Sequence, residues 1–315
     1  MRRRALLTAA ALPFAARAQF TRTIRLIVPF TPGGSTDILA RALAPRLQAA
    51  FGQNVVVDNR PGAAGLIGTE LAAHAPADGY TLLLVDSSLP INVTYYKNAK
   101  YDAIKDFDPI TDVADTPYML VVQPGGPYQS VRDVVSAAKA QPGKLNFGSG
   151  GNGSGGHLTG EFFQTRAGVK LTHVPYKGLG FALSDVIAGQ IQLVFTSAPP
   201  AMGLIKSQRI KALAVATEKR IVFLPDVPTF AEQGVKDLVV VNWYGIASIG
   251  GTPKQVLDKL HAALLQVIAL PDVKEKFASG ALEPAPMSQQ AFRKLIAEEL
   301  TRWAAVVKTA GIKPE

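Results

Sequence analysis

The sequence predicts an α/β fold built on mainly parallel sheets. Short β-rich apolar runs alternate with segments of helical period along most of the chain. Several of those runs, such as Leu82–Val85, are continuously apolar, as in strands covered by helices on both faces. Glycine-rich turns stand where a strand gives way to a helix.

In chain order, the strands expected are Ile24–Phe30, Asn54–Asp58, Thr81–Asp86, Met119–Gln123, Leu145–Gly148, Lys170–Pro175, Ile191–Thr196, Lys211–Ala216 and Val239–Ile249. Helices are expected between them. Thr36–Phe51 carries Ile38, Leu39, Ala42, Leu43 and Leu47 on one stripe, with Pro45 set to bend or split it. His157–Ala167, Phe181–Ala188, Pro253–Ile268 and the tail Gln289–Ala310 read as further amphipathic helices. Val121–Pro127 and Val241–Gly245 have the character of crossings between two lobes. Residues 19–122 with 244–315 then form one lobe, and 123–243 the other.

Residues 1–18 have the layout of a secretory signal. Arg2, Arg3 and Arg4 precede an apolar run, and Ala16-Arg17-Ala18 is a small-x-small site with cleavage near Ala18. The arginines fit either general or twin-arginine export. Without this segment, 29 basic residues face 24 acidic ones. That mild excess, with no basic cluster interleaved with aromatics, argues against nucleic acid as a partner and suits small anions. No cysteine is present, which removes disulfides, thiolate metal sites and a cysteine nucleophile. No later run reaches about 18 unbroken apolar residues, so a soluble periplasmic protein is expected.

Two loops concentrate backbone donors. The first, Thr31-Pro32-Gly33-Gly34-Ser35-Thr36-Asp37, follows a buried strand and opens a helix. Its free amides and the helix dipole make an anion site, and the Ser35 and Thr36 hydroxyls add donors. Asp37 is expected in the first helical turn, hydrogen-bonded to loop amides. The second loop, Ser149-Gly150-Gly151-Asn152-Gly153-Ser154, lies in a stretch with six glycines in nine residues, Gly148–Gly156. So many glycines suit a backbone that wraps a ligand. His157, at the start of the next helix, fits either capping or ligand contact. Ser87, Ser88, Thr196 and Ser197 stand at strand ends, where ligands sit in open α/β sheets. Arg60 reads as a residue that ties its own loop down.

Catalysis and cofactors find little support. Gly151–Gly156 matches G-x-G-x-x-G, but no acid ends the next strand; the first after Glu161 is Asp185, inside a helix. No G-x-S-x-G surrounds Ser149 or Ser154, and the four histidines show no metal-ligand spacing. No cofactor, metal or catalytic group is therefore expected.

Taken together, the motifs resemble a known family. They are Val28-Pro29-Phe30 with Pro32-Gly33-Gly34-x-x-Asp37; Asn59-Arg60-Pro61-Gly62 with Gly65-x-Ile67-Gly68; Gly79-Tyr80-Thr81; Gly148–Ser154 with His157-Leu158; Val174-Pro175-Tyr176-Lys177-Gly178; Leu224-Pro225-Asp226-Val227-Pro228; and Trp243-Tyr244-Gly245. In this order they are similar to the extracytoplasmic solute receptors of tripartite tricarboxylate transporters, the Bug family. The resemblance implies a type II periplasmic-binding fold, two α/β lobes with the ligand between them. It implies a non-enzymatic receptor that closes on a small carboxylate and serves membrane transporter subunits, with a sensor as the other possible partner. A monomer suffices for closure. It implies that Thr31–Asp37 and Ser149–Ser154 grip one carboxylate from opposite lobes, with Ser87, Ser88, Thr196 and Ser197 facing the cleft. The chain departs from the family pattern at Phe181-Ala182-Leu183, usually small or polar, and at Ala247–Gly251, usually Pro-containing.

Overall fold

The computed structural model describes residues 20–309 and 311. The expected export segment lies outside them. In chain order the strands are β1 (Ile24–Val28), β2 (Val55–Asn59), β3 (Thr81–Asp86), β4 (Phe107–Val122), β5 (Asn146–Ser149), β6 (Thr172–Pro175), β7 (Leu193–Ser197), β8 (Lys211–Val215), β9 (Val241–Ile249) and β10 (Glu283–Pro284). The helices are α1 (Ser35–Phe51), α2 (Leu66–Ala73), α3 (Ser88–Tyr95), α4 (Val131–Ala140), α5 (Gly155–Ala167), α6 (Leu179–Ile187), α7 (Ala198–Lys206), α8 (Lys254–Ile268), α9 (Pro271–Ser279) and α10 (Gln289–Thr309).

The strands follow the order β2-β1-β3-β9-β4-β7-β5-β6, with β8 and β10 also on β4. β1 pairs in parallel with β2 and β3, and β5 with β6 and β7. β4 and β9 join these two parallel groups through antiparallel pairings. The first half of β4, Phe107–Pro117, lies on β9, and the second, Tyr118–Val122, on β7 and β8. One strand therefore belongs to both halves of the molecule.

The sequence reading puts the first crossing at Val121–Pro127. In the structure the change of partner falls at Pro117–Tyr118, inside β4. Beside it, Tyr118 N donates to Val240 O at 3.1 Å and Val240 N to Ala216 O at 2.9 Å, while Val241 stands opposite Pro117. Bonding partners thus change there too, between Val240 and Val241. The Pro124–Pro127 turn only ends the strand.

The front of β4 escapes sequence reading because Asp108, Pro109, Asp112, Asp115 and Pro117 are poor strand formers. The strand absorbs them with two register shifts opposite β9. α1 continues unbroken through Pro45 and closes at Gly52, whose φ is 66°. α2, α3, α4, α7 and α9 are additional to the helices read from the sequence. No helix among the described residues is long and apolar enough to cross a membrane.

Each half carries apolar cores on both sheet faces. Ile24, Leu26, Leu43 and Leu260 fill one, and Ile27, Leu83, Phe107 and Phe292 its opposite. The other half has Leu120, Phe147, Phe195 and Phe230 on one face and Met119, Val121, Leu183 and Val194 on the other. α3 and α10 serve both halves. α10 gives Phe292 and Ile296 to the first half and Trp303 and Val307 to the second. Arg302 Nη2 donates to Val239 O at 2.7 Å, fixing α10 beside Val240–Val241.

Candidate ligand-binding site

A cavity of about 790 Å³ opens where the loops after β1, β2, β5 and β6 converge with the ends of β3 and β7. These are the carboxyl ends of parallel strands, where α/β sheets place ligands. Both halves of the molecule contribute to its walls.

The loop after β1 supplies Thr31, Gly34, Ser35 and Thr36. Gly33, at φ +83°, makes the turn that an L side chain would strain. Asp37 is buried and lies behind the loop. Its Oδ2 accepts from Gly33 N at 2.9 Å, and Arg41 Nε and Asn59 Nδ2 donate to the same carboxylate at 2.9–3.0 Å. Asn59 also donates to Phe30 O at 3.1 Å. Burial acts to raise the Asp37 carboxyl, but the bonds from Arg41, Gly33 and Asn59 outweigh it and hold it below the usual range.

The loop after β5 supplies Gly150, Gly151, Asn152 and Ser154. Its support is a pair of imidazoles, with the Glu161 carboxyl 3.8 Å from His157 Nε2. Ser149 Oγ lies 2.7 Å from His173 Nε2 and donates to Gly151 O at 3.1 Å. Gly153 N donates to His157 Nδ1 at 3.1 Å, so that imidazole is neutral with its proton on Nε2. The rings of His157 and His173 stack at 4.0 Å. Burial pushes His157 down to about 4; burial and the neighbouring His157 push His173 down to about 3. Ser154 caps α5 by accepting from His157 N at 3.3 Å. The glycines that open α5 serve close approach: a Cβ on Gly155 would stand 2.0 Å from Tyr118 Oη, and one on Gly156 2.5 Å from Phe195 O.

Of the strand-end residues, Ser197 lines the cavity and Ser87, Ser88 and Thr196 do not. Ser87 Oγ donates to Asn242 Oδ1. Ser88 gives both its N–H, at 2.9 Å, and its hydroxyl to Asp86 Oδ1. Thr196 Oγ1 donates to Ser197 O at 2.8 Å. Gly33, Asp37, Ser149, Gly153 and His157 likewise stand behind the lining. Arg60 is paired with Asp58 at 3.0 Å.

The two halves touch across the cavity. Ser35 Oγ meets Ser197 Oγ at 2.8 Å. Tyr96, packed against the core of the second half, donates from Oη to Asn152 O at 2.8 Å within that half. Gly178, before α6, approaches Thr31 so closely that a Cβ there would lie 2.4 Å from Thr31 Oγ1. Phe181 is 60% exposed at the rim.

Asp86, Tyr118, Tyr176, Asn242 and Tyr244 also line the cavity, beyond the residues expected from the sequence. Trp243-Tyr244-Gly245 is one of the family motifs, but nothing local assigns its tyrosine to the cavity. Asp86 ends an apolar strand before two serines and reads as a local cap. In the structure it lines the cavity, and burial raises its carboxyl to about 6. Among the described residues, no group of three or more His, Cys, Asp or Glu could hold a metal.

The family described as "Tripartite tricarboxylate transporter family receptor" matches residues 39–312. The chain belongs to this family. Among its relatives, BugT of Bordetella pertussis is 37% identical over 305 residues, 96% of this chain and 94% of BugT. The structure of the periplasmic binding protein BugD matches with a TM-score of 0.89 at 33% identity, covering 93% of this chain and 99% of BugD. Rpa4515 of R. palustris, solved with adipate, gives 0.90 at 36% identity, covering 94% of this chain and 99% of its own. The fold is thus that of the two-lobed periplasmic binding proteins, and the family is one of solute receptors.

Proposed function

We propose that this protein captures a small carboxylate between its lobes by hinge closure and delivers it to membrane transporter subunits from the periplasm. Residues 1–18 are removed on export in this reading. One observation carries it: two loops at helix starts, Thr31–Thr36 before and within α1 and Gly150–Ser154 before α5, border one cavity from opposite halves of the molecule. Each offers amides and hydroxyls at the positive end of a helix. Neutral donors hold an anion without a fixed counter-ion, which keeps release easy. The adipate in Rpa4515 supports a carboxylate as the ligand class.

Thr31, Gly34, Ser35, Thr36, Gly150, Gly151, Asn152, Ser154 and Ser197 contact the ligand. Gly33, Asp37, Ser149, Gly153 and His157 set the loop shapes. Ser87, Ser88 and Thr196 tie down the strand ends beneath them. The hinge is the pair of crossings at Pro117–Tyr118 and Val240–Val241, with α3 and α10 spanning both lobes. Ser35–Ser197 is a contact of the closed form. A single copy completes the site, and no chemistry is done on the ligand.

A thermal-shift screen of the mature chain against small carboxylates, with sugars and cations as controls, tests this. A ligand at about 100 times its dissociation constant adds about 2.7 kcal/mol, a rise of several degrees. A shift for a sugar or cation and none for any carboxylate would reject the reading.

A further inference from the structure

Between the two anion-binding loops, the cavity holds one acidic group that no cation answers. Asp86 is 8% exposed and lines the cavity. The groups that bond it are Ser88 and Asn242, both neutral. Among the described residues lining the cavity, the only basic one is Lys177, which is exposed. Buried carboxylates are normally paired. Directly across the β3–β9 ladder stands Tyr244, in register with Asp86 and so on the same face. Tyr244 is 1% exposed and lines the cavity, and its hydroxyl has no hydrogen-bond partner among the described residues. Its polar neighbours, Ser35 and Ser197, meet across the cleft.

We propose that Asp86 and Tyr244 form a subsite for a protonated amine carried by the ligand. The ligand class is then a carboxylate with an ammonium group near its carboxyl, as in an α-amino acid. This rests on the carboxylate reading above. Asp86 accepts from the ammonium, and Tyr244 donates to the ligand's adjoining oxygen. The carboxylate goes to the helix starts beside Ser35. Tyr244 and Ser35 are neighbours, so the two subsites adjoin, and a molecule bearing both charges on one carbon can span them. The ligand brings the cation that the protein lacks.

The charge state fits. Burial raises the Asp86 carboxyl to about 6, so at neutral pH it is mostly ionised. The other titratable groups near it are phenols. Burial pushes Tyr101 and Tyr118 upward and Tyr244 to about 12, so all three are neutral.

Calorimetric titration of the mature protein with matched pairs tests the proposal: L-aspartate against succinate, L-glutamate against glutarate, L-phenylalanine against 3-phenylpropionate. In at least one pair the amino acid should bind about ten-fold tighter or more. Its affinity should fall about ten-fold from pH 7 to pH 5 as Asp86 takes a proton. Asp86→Asn, close to isosteric, should remove both the preference and the pH dependence. Without ligand, Asp86→Asn should melt at or above the parent's temperature, because it removes a buried unpaired charge, so the lost preference is not a lost fold. If the acids without the amine bind equally or more tightly, or the preference survives Asp86→Asn, the subsite is wrong. If no acid of either kind binds, the carboxylate reading falls, and the subsite with it.

Discussion

The two glycine loops offer the same groups to the cavity but are braced by opposite chemistry. Behind the first stands an ionised carboxylate, Asp37, taking bonds from Gly33, Asn59 and Arg41. Behind the second stand two stacked neutral imidazoles, His157 and His173, bonded to Gly153 and Ser149. Equivalent geometry toward the cavity therefore does not need equivalent support. The supports also differ in their response to acid. Asp37 has a depressed pKa, so its contribution is present above about 3.8 and is lost only as pH falls below that. The histidines are depressed too, but from 6.5. Their neutral form is favoured by folding, and that contribution is lost as pH falls from 6.5 toward about 4. The second loop should fail first.

The largest expected effect is this acid response. Each histidine at full weight loses about 1.4 kcal/mol per pH unit. Asp86 and Asp115, raised to about 6, drift the other way, losing stability as pH rises from 3.8 to about 6. A His173→Asn variant isolates the histidine part. Its stability deficit against the parent, from urea melts, should shrink as pH falls from 6.5 to 4; a constant deficit would remove the imidazole support.

Next comes Gly156→Ala, which forces a methyl against the Phe195 carbonyl and should cost about 2–3 kcal/mol. Asp37→Ala should cost about 2 kcal/mol, chiefly through lost bonds to a charged acceptor. It should also weaken ligand binding at least ten-fold by freeing the Gly33 turn. Arg41→Ala should cost least, about 0.5 kcal/mol, because the arginine is 55% exposed and screened by solvent. Equal costs for Asp37→Ala and Arg41→Ala would mean that the ion pair, rather than the amide bonds, shapes the loop.

How much of this the sequence reveals depends on how local each cause is. A strand, two glycines and a helix start lie within a few residues, so both loops are legible. So is Asp37, whose bond to Gly33 spans one turn. His157 is ambiguous from sequence because its decisive partner, the stacked His173, comes from β6. Asp86 is illegible for the same reason: its burial and its facing tyrosine come from β9, far along the chain. A Pro-Gly-Gly-Pro turn announces itself in a sequence, whereas a strand changing partners at Pro117–Tyr118 leaves the apolar pattern intact. The paired duty of α10 is hidden too, since an amphipathic stripe does not say how many cores it meets.

The central claim is that one carboxylate is held by both loops at once. Gly34→Val and Gly150→Val test it most directly. Gly34 has φ −77°, and the nearest atoms to a Cβ on either glycine lie at 3.5–3.6 Å, so the fold accepts the change while the side chain enters the cavity. Titrated with the carboxylate that most stabilises the parent protein, each single variant should lose at least about a hundred-fold in affinity, with its melting temperature within a degree or two of the parent's. Normal binding by either variant would contradict the two-loop grip.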